Sequence, residues 1–242
     1  MNAIELNGVS VRYRAEKVRS LKELVVRGLR PSRPFFYSLR NVTLSIASGE
    51  SVGIIGSNGA GKSTLLRVAA GIIQPSEGVA TGRGNIVPLM ELGTGFDAEL
   101  SGRENILFNG ALLGRTRAQM RSQMDAIIEF SGIEPFVDAP IRTYSTGMIA
   151  RLAFSIATAV DAETILLDEI LAVGDAAFRE RCDERIRTFV REGRTVVLVS
   201  HDTAAVMTLC RRTLWLSHGE IVSDGRSEDV IREYEAHRSD AG

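Results

Sequence analysis

Apolar and polar residues alternate over Ala3–Val11 and again over Asn41–Ile46, which predicts two half-exposed strands near the start of the chain. Ser51–Ile55 breaks that rhythm, being apolar almost throughout, as a strand covered on both faces requires. Thr64–Ala70 continues at helical spacing, and Gln74–Gly78 reads as a turn. Asn85–Met90 predicts another strand, and from about 92 to 160 the periodicity is mostly helical, closing with the apolar helix Ile149–Val160. Thr164–Leu167 and Thr195–Val199 are short β-rich runs ending in polar residues, the pattern of buried parallel strands. Leu214–Leu216 and Glu220–Val222 predict a hairpin turning through Ser217–Gly219, and Ser227–His237 a terminal helix. This order predicts an α/β core preceded by antiparallel strands and carrying an inserted helical subdomain. The expected layout is one domain over 1–242, with an insertion at 14–37, the helical subdomain at about 92–160 and a C-terminal helix and tail at 226–242.

The insertion departs from everything around it. Arg12 to Arg40 holds nine Lys/Arg against Glu16 and Glu23. Val18, Leu21, Leu24, Val25 and Leu29 recur at helical spacing, which predicts a short basic amphipathic helix ended by Pro31 and Pro34. Such a helix can lie against anionic headgroups or a lipid-linked pyrophosphate, or pack as a solvated excursion on a protein neighbour.

Candidate chemistry begins where the first buried strand ends. Gly56, Ser57, Asn58, Gly59, Ala60, Gly61, Lys62, Ser63 and Thr64 match G-x-x-x-x-G-K-[ST] between a predicted strand and a predicted helix. Glycines let backbone N–H groups turn inward around a phosphate chain, and the helix N-terminus adds partial positive charge. Lys62 is expected to reach the β- and γ-phosphates and Ser63 to place its hydroxyl on Mg²⁺. Asp168 and Glu169 stand at the carboxyl end of a second buried strand, the ligand-binding edge of a parallel sheet. Asp168 is expected to hold Mg²⁺ through water, and Glu169 to orient and deprotonate an attacking water. His201 ends a third strand, where it can sense the γ-phosphate. The predicted fold class is therefore a P-loop NTPase core, and the expected ligands are a nucleoside triphosphate and Mg²⁺.

Composition removes alternatives. Of 242 residues, 44% are apolar and 24% charged, enough for a large core. The net charge of −1 argues against a nucleic-acid binder held by general basicity. Cys182 and Cys210 are the chain's two cysteines, too few and wrongly spaced for a disulfide framework or a zinc site. No secretory signal opens the chain, and no run reaches the roughly 18 to 20 apolar residues of a membrane span. The most apolar stretch, Leu152–Val173, is interrupted by Asp161, Glu163, Asp168 and Glu169.

Tyr144-Ser145-Thr146-Gly147-Met148 lies just upstream of Asp168 and opens the helix that follows. This resembles the L-S-G-G-Q signature of ABC-type ATPases, and the resemblance covers nearly the whole chain. It implies Tyr13 as the ring that stacks on adenine, Ser145 and Gly147 as phosphate ligands supplied to a second copy, Asp175 in the turn after the catalytic carboxylate, and His201 as the γ-phosphate ligand. Thr146 and Met148 depart from the pattern, and Ala172–Asp175 stands where S-A-L-D is usual. The glutamines are Gln74, Gln119 and Gln123, so Glu91 takes the place of the usual metal-coordinating glutamine.

Leu89–Phe96, Glu99–Asn105 and Tyr144–Met148 are further similar to ATPase subunits of bacterial polysaccharide exporters, which move O-antigen, capsular polysaccharide or teichoic acid. The resemblance implies an ATP-sandwich homodimer and a separate polytopic permease docked around residues 91–105. It also implies indirect contact with a lipid-linked glycan and a place on the cytoplasmic face of the bacterial inner membrane. Ending at Gly242, the chain reads as the form without an added carbohydrate-binding domain. The alternatives are an ABC-type ATPase for another exported substrate, a soluble ABC-type clamp on ribosomes or DNA, and a small-molecule kinase with a lid.

Overall fold

The computed structural model of the chain describes residues 1–14, 35–91, 93–168 and 175–240. Most of the basic insertion and Glu169 lie outside the described residues, as does the side chain of Glu91. Strands β1 (Asn2–Arg14) and β2 (Phe35–Ala47) pair antiparallel, and β3 (Ser51–Ile55) leads into helix α1 (Lys62–Ala69). Next come β4 (Glu77–Gly82), β5 (Ile86–Pro88), and helices α2 (Gly102–Leu112), α3 (Arg117–Ser131) and α4 (Thr146–Ala159). The chain then alternates through β6 (Thr164–Asp168), α5 (Ala176–Arg191), β7 (Thr195–Val199) and α6 (Thr203–Leu209). Hairpin β8 (Arg212–Ser217) and β9 (Glu220–Arg226) precedes the terminal helix α7 (Ser227–Asp240). Among the described residues, no helix is long and apolar enough to cross a membrane.

Two sheets result, ordered β2-β1-β4 and β5-β6-β7-β3-β8-β9. The larger sheet is parallel except for β9, which pairs antiparallel with β8. Period-2 geometry explains why its central strands are continuously apolar. Leu166, Val197 and Val199 join Ile4, Leu6 and Ile46 of the small sheet and Leu65 of α1 in one core. Ile165, Leu167, Val196 and Leu198 face the other way, against Phe154, Phe178 and Ile186 of α4 and α5. A third core, including Ile106, Met120, Ile127, Leu152 and Ile156, holds the helical subdomain together. Because Leu152 and Ile156 face that cluster while Phe154 faces the sheet, α4 joins the subdomain to the core.

The short helices are set by their ends. Ser101 with Glu104 and Thr116 with Gln119 form capping boxes at α2 and α3, reciprocally satisfying donors that helix geometry leaves open.

Several boundaries differ from the sequence reading, each for a local reason. The strand expected over Asn85–Met90 is confined to Ile86–Pro88, and Leu89–Glu91 is a 3-10 turn. Pro88 has no N–H to extend the ladder, and β5 is an edge strand. The expected turn at Gln74–Gly78 gives way to β4, a glycine-bearing, exposed edge strand whose pattern carries little signal. Arg14 and Phe35–Tyr37, placed in the insertion, are instead the paired ends of β1 and β2.

Arg212 ties the two sheets. Its guanidinium donates to both Asp224 carboxylate oxygens at 2.6 Å, to Glu50 at 3.1 Å and to the Ser45 carbonyl at 2.9 Å. These partners, the Asp224 hydrogen bonds first, hold its pKa above the ordinary arginine value. Arg212→Ala is expected to lower stability by about 1–3 kcal/mol, a range set by half-exposed, charge-assisted hydrogen bonds. A urea midpoint equal to the parent's would contradict this. Cys182 and Cys210 are free and buried, and desolvation pushes both thiols up to about 12.

Candidate nucleotide site

The loop between β3 and α1 is shaped by close backbone approaches. Gly56 has φ +149° and Gly61 φ +106°, and a Cβ on either would overlap a carbonyl oxygen, of Leu216 and Ser38 respectively. Only glycine fits both the dihedral and the space. The Gly219 amide donates to the Ala60 carbonyl at 2.9 Å, which pins the β8–β9 turn against the loop. That turn has positive φ at both His218 and Gly219, as the favoured two-residue hairpin connection requires.

Lys62 lies inside this loop and is 7% exposed. Its Nζ donates to the carbonyls of Gly56 at 2.8 Å and Ser57 at 3.0 Å. The ammonium is thus wrapped by the loop it charges, and the first N–H groups of α1 add unpaired donors of the same sign.

A cavity of about 460 Å³ opens at this point, lined by Asn58, Gly59, Gly61, Lys62, Ser63, Thr64 and Asp168, with Phe36 and Ser38 of β2 opposite. The Ser38 and Thr64 hydroxyls are 2.8 Å apart and join β2 to the start of α1. Asp168 is the last residue of β6, so its carboxylate and the Ser63 hydroxyl share one cavity. Oxygen donors of this kind suit a hard divalent cation, and the glycine loop suits a phosphate chain.

The other candidates fall into three groups. Tyr13 pairs with Phe36 across β1 and β2, and their rings stack at 5.6 Å and 30°. Phe36 lines the cavity and Tyr13 backs it, so Phe36 and Ser38 are site residues missed in the sequence. Phe36 owes its place to the register that sets it opposite Tyr13, a pairing between distant segments that periodicity does not report. His201 lies just beyond β7 and borders a neighbouring cavity of about 720 Å³ with Gly56, Ser57 and Asn58. Asn58 borders both cavities, so His201 meets the opposite side of the same loop.

Ser145 and Gly147 do not line the Lys62 cavity. Ser145 caps α4, accepting from the Met148 amide at 3.2 Å. Asp175 caps α5 by accepting from Phe178 at 2.8 Å, and its carboxylate is 3.6 Å from Arg151 of α4. Within one chain Ser145 and Asp175 thus serve as helix caps, and none of the three residues lines the Lys62 cavity.

A buried lysine inside a glycine loop, between a parallel strand and a helix and facing a strand-end carboxylate, defines a nucleotide-binding P-loop protein. Residues 39–172, more than half the chain, match the family model described as ABC transporter, and the chain belongs to that family. It is 44% identical over 97% of its length to the O-antigen export system ATP-binding protein RfbB of Myxococcus xanthus. It is 40% identical over 88% of its length to an RfbB of Klebsiella pneumoniae, and 43% over 83% to the teichoic acids export ATP-binding protein TagH of Lactococcus lactis. The chain spans 56% of the Myxococcus protein, 43% of the Lactococcus protein and 89% of the Klebsiella protein. A dimeric post-hydrolysis structure of the ATP-binding cassette MJ0796 bound to ADP and Pi shares the fold, with a TM-score of 0.74 at 22% identity. The match covers 93% of this chain and 98% of that one.

Proposed function

We propose that the chain is the ATP-hydrolysing motor subunit of an exporter that moves a lipid-linked polysaccharide, of O-antigen or related type, across the bacterial inner membrane. The observation carrying this reading is the Lys62 cavity with Asp168 at its wall, in a chain 40–44% identical to proteins named for O-antigen export.

In this reading the loop from Gly56 to Thr64 binds the triphosphate, Lys62 neutralises the β- and γ-phosphates, and the Tyr13–Phe36 pair offers the base a flat apolar face. Ser63 and Asp168 would hold Mg²⁺, with Glu91 a further candidate ligand; the ion neutralises phosphate charge when bound. Glu169 takes a proton from the attacking water, and His201 donates to the γ-phosphate. Ser145 and Gly147 act across a homodimer: the N-terminus of α4 of one copy caps the phosphate held by Lys62 of the other. That neither residue lines the Lys62 cavity of its own chain supports that division of labour.

A separate polytopic permease would dock around residues 91–105, and Phe108 and Leu112 of the adjoining helix α2 are exposed. In this reading the chain works at the cytoplasmic surface of the membrane, with the glycan contacted through the permease.

Introducing Lys62→Ala in the producing bacterium is expected to abolish surface polysaccharide while lipid-linked polymer accumulates inside. Surface polysaccharide at the parental level would overturn the proposed function.

A further inference from the structure

His201 stands in a short loop whose two flanks are fixed differently. On one side the Ser200 amide donates to the Ile54 carbonyl at 3.3 Å, and the Asp202 amide donates to the Ser200 hydroxyl at 3.0 Å. On the other, Asp202 caps α6 through the amides of Ala204 and Ala205, and Thr203 donates its hydroxyl to Glu235 Oε1 of α7 at 3.0 Å. That last bond joins the His201 loop to an element that packs on a different strand.

Helix α7 is anchored independently of β7. Ser227, at its start, donates to the Cys210 carbonyl at 2.7 Å and pairs with the Thr213 hydroxyl at 2.8 Å. Val230 and Ile231 are buried. Trp215 of β8 packs against Tyr234 at 5.6 Å and His237 at 5.1 Å. The same β8–β9 hairpin is pinned to the phosphate loop through Gly219 and Ala60. A continuous path therefore runs from the loop through the hairpin, Trp215 and α7 to Glu235 and Thr203. All three histidines of the chain, with Tyr234 and Arg238, border the cavity that this path encloses.

We propose that Glu235, acting through Thr203, is a positioning residue that sets the place of His201 relative to the phosphate loop. The inference rests on the reading of His201 as the γ-phosphate ligand. The Thr203–Glu235 bond is exposed, and such bonds add little to global stability. Its effect belongs to the geometry of the loop, where a small displacement from a polar transition state is costly.

Steady-state ATP hydrolysis by the full chain tests this. Glu235→Ala and Thr203→Val are each expected to lower kcat about three- to tenfold, the scale of one ordinary net hydrogen bond, with KM for ATP and the melting temperature unchanged. Glu235→Gln retains an acceptor oxygen and should restore most of the rate. The double variant should be no worse than either single one. Parental kcat in Glu235→Ala, alongside loss of hydrolysis in His201→Ala, would overturn the positioning role alone. So would a loss in Glu235→Ala that the glutamine variant does not repair. Full hydrolysis by His201→Ala would instead remove the reading of His201, and this inference with it.

Discussion

Lys62→Ala is expected to weaken ATP binding by about 10²- to 10³-fold while leaving the fold intact. Lys62 is buried, and its Nζ donates to two carbonyls of its own loop. A triphosphate entering the cavity meets that charge already desolvated and oriented, so little reorganisation is needed on binding. Truncation removes the ammonium while the glycine backbone and helix N-terminus remain, so residual affinity comes from neutral donors. Losing one partner of a buried charge-assisted contact costs about 2–5 kcal/mol, which spans the expected change in affinity. Calorimetric titration with ATP reads the effect directly, and circular dichroism establishes that the variant is folded. Unchanged affinity in a folded variant would refute the assignment of the loop as the phosphate site.

The parts of this site legible in the sequence are those fixed by local chain geometry. The glycines, Lys62, Ser63 and Asp168 stand at strand ends and a helix start, where a short apolar run followed by polar residues determines which side chains reach the sheet edge. Buried strands announced themselves because both of their faces are covered. Two edge strands were less clear: β4 is exposed and carries glycine at both Gly78 and Gly82, and β5 is shorter than the strand expected over Asn85–Met90 because it stops at a proline. Pairings distant in sequence were equally silent. Phe36 enters the site only because β2 sets it opposite Tyr13, and Arg212 joins the two sheets through the Ser45 carbonyl. Glu235 reaches Thr203 only after α7 has folded back over β8. Periodicity reports which face of an element is buried, but not which neighbour covers it.

Glu169→Gln should separate binding from chemistry. Glu169 follows Asp168 in the sequence, and Asp168 already borders the cavity that holds Lys62. Glutamine keeps the length and an acceptor oxygen of glutamate but cannot take a proton, so nucleotide affinity should stay near the parent's. Hydrolysis should fall by about 10²- to 10⁴-fold, the usual contribution of one general base. ATP held without cleavage should then keep the two copies together, because in the proposed dimer the α4 N-terminus of each caps the phosphate bound by the other. Light scattering with ATP and Mg²⁺ should report twice the mass of the nucleotide-free chain, and Lys62→Ala should remain monomeric under the same conditions. The two variants thus move in opposite directions, one losing the ligand and the other trapping it. Near-parental turnover by Glu169→Gln would remove the general base from that position. A persistent monomer that binds ATP, even with the permease present, would remove the shared site and leave Ser145 as a helix cap alone.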